Sequence, residues 1–176
     1  GARRQCGAAQ RRRARDHQPQ RLRAHGHAVG IPGDFVIYDE RDQSAMLQQL
    51  QEEGRVPEGL SLESLVQAFS RLKSRGRLGG RKPEEPSDIS PNLRAVHETY
   101  RDAMRAANAL DFGDLILECV RLFRERPKVL RLYQLAYNHI LVDEFQDTTP
   151  AQYELLRFLA GTTSPDDFII KAEAST

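Results

Sequence analysis

Apolar residues recur three and four positions apart along most of the chain, the spacing of helices that bury one face. Met46, Leu47 and Leu50 follow the acidic stretch Asp39 to Asp42 and stop before Gly54. Ser61 precedes Leu62, Leu65, Val66, Phe69 and Leu72, a stripe that ends at Gly76. Ser90-Pro91 reads as an N-cap with proline at the first helical position, opening a helix through Val96, Tyr100, Met104 and Ala107. Further helices carry Leu115, Ile116, Val120 and Phe123, then, after Pro127, Leu130, Tyr133 and Leu135. Thr149-Pro150 opens a last one through Tyr153, Leu155, Leu156 and Leu159, closed by Gly161. Two segments break this period. Phe35-Val36-Ile37-Tyr38 is short and β-prone, and Ile140-Leu141-Val142 is a continuous apolar run of the kind found in a buried parallel strand. The predicted class is α/β, with helices predominating.

Composition narrows the class without changing it. At 176 residues, 39% hydrophobic and 29% charged, with no tryptophan, the chain suits one helix-rich globular domain. Cys6 and Cys119 are far apart with no Cys/His cluster beside them, which argues against zinc and against a disulfide framework. No apolar run reaches the roughly 18 residues of a membrane span, and the start lacks the apolar core of a secretory signal. A cytoplasmic setting is therefore expected.

Charge is distributed unevenly. The net charge is only +1, yet Arg3, Arg4, Arg11, Arg12, Arg13, Arg15, Arg21 and Arg23 face Asp16 alone at the start. Residues 1–24 are too poor in apolar side chains to offset chain entropy and are expected to be disordered. They read as a nucleic-acid-binding arm, as a solvated tail, or as residues outside the protein's own reading frame. A second basic group, Arg75, Arg77, Arg81 and Lys82, borders a Gly- and Pro-rich loop. It reads as a contact for nucleic-acid phosphates or as a solvated loop face.

The chemistry concentrates after Val142. Ligands of open α/β sheets bind beyond the carboxyl ends of the strands, so Asp143 and Glu144 would project into such a crevice. Magnesium takes one or two carboxylates plus substrate phosphates, which suits Asp143. A water attacking a terminal phosphate needs an adjacent base, which suits Glu144. Apolar residues followed by Asp-Glu are equally compatible with a solvated strand end, and the longer segment adds the specificity.

Val142-Asp143-Glu144-Phe145-Gln146-Asp147-Thr148, followed by Pro150, Gln152 and Leu155-Leu156, resembles the DExx box, or Walker B motif, of superfamily 1 helicases of the UvrD, PcrA and Rep type. Two more segments match that family in order. These are Phe35-Val36-Ile37-Tyr38-Asp39-Glu40 with Asp42-Gln43, and Asn108 to Ile116, where Asp111 and Asp114 match and Gly113 stands where an acid is common. Asp111 reads equally as a helix cap and as a functional acid, and no catalytic role falls to it or to Asp114.

The resemblance implies a fragment of a P-loop NTPase (RecA-like) motor domain with its helical 1B insertion. It implies a mainly helical 1B-like part over 25–137 and a partial 1A motor segment over 138–176. It further implies ATP and Mg2+ as cofactors, with Asp143 as metal ligand, Glu144 as catalytic base, and Gln146 and Asp147 linking nucleotide state to neighbouring motifs. DNA, single-stranded or at a single/double-strand junction, would be the partner. The RecB and AddA nuclease-helicases share the acidic string, although the short interval between Tyr38 and Asp111 fits the simpler UvrD size.

The 176 residues contain no GxxxxGK[ST] phosphate loop. The expectation is thus a fragment, with the rest of the motor missing, that does not hydrolyse ATP alone. The alternative is a non-enzymatic helical remnant that binds DNA or a protein.

Overall fold

The computed structural model describes residues 18–75, 90–137, 140–142 and 145–161, with Arg75 described as backbone only. Seven helices lie among these residues. They are α1 (Gln18–His25), α2 (Glu40–Glu52), α3 (Leu62–Arg75), α4 (Pro91–Ala106), α5 (Phe112–Glu125), α6 (Pro127–Ala136) and α7 (Pro150–Ala160). Two short strands, β1 (Val36–Tyr38) and β2 (Ala109–Asp111), pair in parallel with Val36 opposite Ala109, Ile37 opposite Leu110 and Tyr38 opposite Asp111. The expected class, mostly helical with a small parallel sheet, is what the chain adopts.

The helix boundaries follow the local chemistry read from the sequence. Asp39 caps α2, accepting from the backbone N–H groups of Arg41 and Asp42, and Gly54 takes the left-handed conformation just past its end. Ser90 caps α4 with Pro91 behind it. Thr149 caps α7, and Gly161, at φ +68°, ends it.

The sheet partitions the apolar interior. Side chains alternate across a strand, so Ile37 and Leu110 face a core built from Leu22, Phe35, Leu115, Cys119, Leu122, Phe123 and Leu155. Tyr38 and Ala109 face a second core of Leu47, Leu50, Val56, Leu65, Phe69, Val96, Tyr100 and Met104. The first core joins α1, α5, α6 and α7, and the second joins α2, α3 and α4.

Three sequence expectations change. Helix α1 begins at Gln18, inside the stretch expected to be disordered through residue 24; of that stretch, residues 1–17 lie outside the described residues. The reason is that an arginine-rich helix can still bury its stems. Leu22 is fully buried, and the Arg21 guanidinium sits 5.2 Å and 5.3 Å from the ring centres of Tyr133 and Tyr137.

Ile140-Leu141-Val142, expected as a buried strand, is irregular, with Leu141 77% exposed. A strand exists only where its backbone N–H and C=O groups find a ladder, and the one sheet among the described residues is the β1–β2 pair, which residues 140–142 do not join. Strand β2 was not anticipated, because three residues are too few to show a period. It starts after Asn108, held at φ +50° with its side-chain amide donating to Asp34 at 3.0 Å.

Candidate functional site

Two of the three segments that carry the family resemblance are described throughout, and the third in part. The first two come together physically as β1 and β2, and each runs from strand through an aspartate cap into a helix. Asp39 and Asp42 form one capping box and Asp111 and Asp114 another, each pair exchanging backbone-to-carboxylate hydrogen bonds. Asp111 is thereby a helix cap, the structural member of its two readings. The amides of Asp42 and Arg41 hold the Asp39 carboxyl below its ordinary range.

Asp111 has a second task. Its Oδ1 accepts from the Asp114 N–H at 2.9 Å, and its Oδ2 accepts from the Lys73 ammonium of α3. Lys73 also reaches Asp114 Oδ1 at 2.9 Å, and Asp114 Oδ2 accepts from the Asp111 N–H at 3.3 Å. All four carboxylate oxygens are used. Lys73 and Asp111 are buried, and burial pushes the Asp114 carboxyl up despite the ammonium beside it. Gly113 leaves room for this arrangement, since a Cβ there would lie 3.0–3.1 Å from Lys73 side-chain carbons and 3.2 Å from Asp111 Oδ1.

The third segment is described from its middle. Asp143 and Glu144, the expected metal ligand and base, lie outside the described residues, as do Arg77, Arg81 and Lys82 of the basic group. Arg75 ends α3. Gln146 and Asp147 sit on an exposed 3-10 turn, Phe145–Asp147, closed by the Thr148 N–H donating to the Phe145 carbonyl at 3.0 Å. Phe145 meets Tyr153 edge-on at 6.4 Å. Together with Gln146, Thr148 and Pro150 these rings line an open groove of about 420 Å³.

The turn is held by its neighbour. The Thr149 N–H donates to Gln152 Oε1 at 2.9 Å and the Gln152 N–H donates to Thr149 Oγ1 at 3.3 Å. Thr149 and Gln152 therefore form the capping box that opens α7. Among the described residues no three His, Cys, Asp or Glu side chains converge as a metal site. Burial pushes the Cys119 thiol up to about 12, so it is no nucleophile at neutral pH.

His97 was passed over in the sequence because one histidine on an amphipathic helix gives no signal. Its ring lies 4.9 Å from Phe69, beside a cavity of about 230 Å³ lined also by Leu72, Lys73, Arg94 and Leu117. Burial, then Lys73 and Arg101, hold its pKa down to about 4 from 6.5. Between those values the unfolded chain takes up a proton that the folded chain refuses, so stability falls as pH drops from 6.5 towards 4. The expected loss is about 1–2 kcal/mol, since part of the ring meets solvent. Thermal melts at pH 7 and pH 5 check it, and His97→Gln should flatten this part of the slope.

A profile of the UvrD/REP helicase N-terminal domain matches residues 19–170. The ATP-dependent DNA helicase UvrD1 of Mycobacterium tuberculosis is 37% identical over 143 residues, 78% of this chain and 18% of that protein. DNA helicase II of Haemophilus influenzae is 35% identical over 152 residues, 81% of this chain and 20% of its own length. The ATP-dependent DNA helicase PcrA of Staphylococcus aureus is 33% identical over 141 residues, 79% and 19% respectively. The chain spans about a fifth of the length of the curated relatives it matches. No helix among the described residues is long and apolar enough to cross a membrane.

Proposed function

The chain belongs to the UvrD/REP helicase N-terminal domain family, and from that premise we propose that it is a segment of an ATP-dependent DNA helicase or translocase. In this reading it supplies a helical 1B-like layer and the acidic half of a P-loop ATPase site. The observation that supports it best is the turn that follows the acidic pair in the sequence. Asp143 and Glu144 directly precede an exposed turn that presents Gln146 and Asp147 beside an open groove, and the capped helix α7 anchors the turn from behind.

Hard carboxylate oxygens suit Mg2+, which would neutralise charge on the nucleotide phosphates, with Asp143 as its protein ligand. Glu144 accepts the proton of the water that attacks the terminal phosphate. Gln146 and Asp147 sense the nucleotide from the turn. Arg75, Arg77, Arg81 and Lys82 meet DNA phosphates, where a loss of affinity with rising salt is the signature.

The phosphate loop is not among these 176 residues, so the isolated chain is expected to show no DNA-stimulated ATP hydrolysis. Residues 19–170, exchanged for their counterpart in a UvrD1-type relative, should support it. A chimera that folds and binds DNA but never hydrolyses ATP would overturn the proposal. Salt-sensitive DNA binding by the chain, indifferent to nucleotide in every context, would instead favour a non-enzymatic module.

A further inference from the structure

Among the described residues, the densest buried group of charges is the Lys73, Asp111 and Asp114 cluster, and it lies where the two cores meet. Lys73 comes from α3, which packs in the second core, whereas Asp111 and Asp114 form the N-terminal box of α5, the central helix of the first. Asp111 is also the last residue of β2, on the face that Ala109 and Tyr38 turn towards the second core. Nothing apolar could replace the ammonium alone. It joins two carboxylates at once and lies 5.6 Å from the Tyr100 ring centre, itself fully buried in the second core.

We infer that Lys73 is an electrostatic latch that fastens the α2–α4 layer to the N-terminus of α5 and makes the two cores unfold as one unit. The physical reason is directional. Apolar packing between the layers, across the sheet and where α3 meets α5 and α7, attracts without direction, but a buried ammonium held by two carboxylates has one position, and losing it leaves two acids facing each other without a cation. Opening the layer therefore requires breaking the latch first. With the latch broken, α2–α4 can open while α5 and α7 stay packed.

Native-state hydrogen exchange on the full chain, read by mass spectrometry, tests this. In the unaltered protein the slowest amides of the two layers should exchange together. In Lys73→Met, amides of α2–α4 should exchange about tenfold or more faster, while those of α5 and α7 change less than about threefold. Asp114→Asn keeps the shape of the box and removes one charge, so it should move the same amides in the same direction by a smaller factor. Should Lys73→Met fail to fold, Asp114→Asn decides. Equal acceleration in both layers would overturn the latch, because Lys73 would then contribute only to overall stability. So would no acceleration in either.

Discussion

In the motor chimera, Glu144→Gln should lower DNA-stimulated ATP turnover by about 10²–10⁴-fold, the usual contribution of a positioned general base. Glutamine keeps the volume and one acceptor of glutamate but cannot take the proton released when water attacks phosphorus. Nucleotide affinity should change little, because the base touches the attacking water rather than the phosphate chain. Asp143→Asn should behave differently. Weakening a metal ligand lowers the affinity for Mg-ATP and shows first as a raised KM. The two variants thus separate in a KM-against-kcat comparison. A Glu144→Gln chimera that hydrolyses ATP at near the unaltered rate would remove Glu144 from the mechanism. A parallel fall in nucleotide affinity would make it a structural residue.

The sequence was informative where a feature is local. Caps at Ser90 and Thr149 and the stops at Gly54 and Gly161 are each decided by a few neighbouring residues and stand where they were expected, and the acidic stretch expected to open α2 supplies its cap, Asp39. The apolar stripes of α2 to α5 and α7 were legible for the same reason, whereas in α6 Leu130 and Tyr133 pack on the core and Leu135 is exposed. What was hidden depends on partners distant in sequence. Strand β2 exists because Val36 to Tyr38 lies beside it, and Ile140 to Val142 is irregular, with no strand among the described residues paired to it. Helix α1 looked too basic to fold because its partners, Tyr133 and Tyr137, lie over a hundred residues on.

The candidate site shows the same division. The acidic string was recognisable from its own order of residues, and the turn bearing Gln146 and Asp147 lies beside it. Lys73 was invisible because it belongs to an ordinary amphipathic helix and the nearer of its two partners, Asp111, is 38 residues away. Gly113, which departs from the family's acidic preference, could be understood only once Lys73 was seen to fill the space a side chain would need.

Phe123→Ala should cost about 3–5 kcal/mol, the usual penalty for emptying a fully buried aromatic site. Phe123 is 1% exposed at the centre of the first core, with its ring centre 5.6 Å from that of Tyr133. Against a total stability of about 5–15 kcal/mol for a domain of this kind, such a loss brings much of the population near unfolding. Phe123→Leu keeps most of the volume and should cost less than about 2 kcal/mol. Phe112→Ala is the control, because Phe112 is 61% exposed and its loss should stay within about 0.5 kcal/mol. Urea titration reads all three. The position of Phe123 adds a sharper expectation. If Lys73 fastens the layers, damage in the first core must reach the second, and Phe123→Ala should lower both layers in a single transition. With Lys73→Met as background, the same cavity should lower α5 and α7 while α2–α4 unfold at their own lower midpoint. Two separated transitions with Lys73 intact would mean that neither the latch nor the packing of α3 on α5 and α7 makes the layers unfold together.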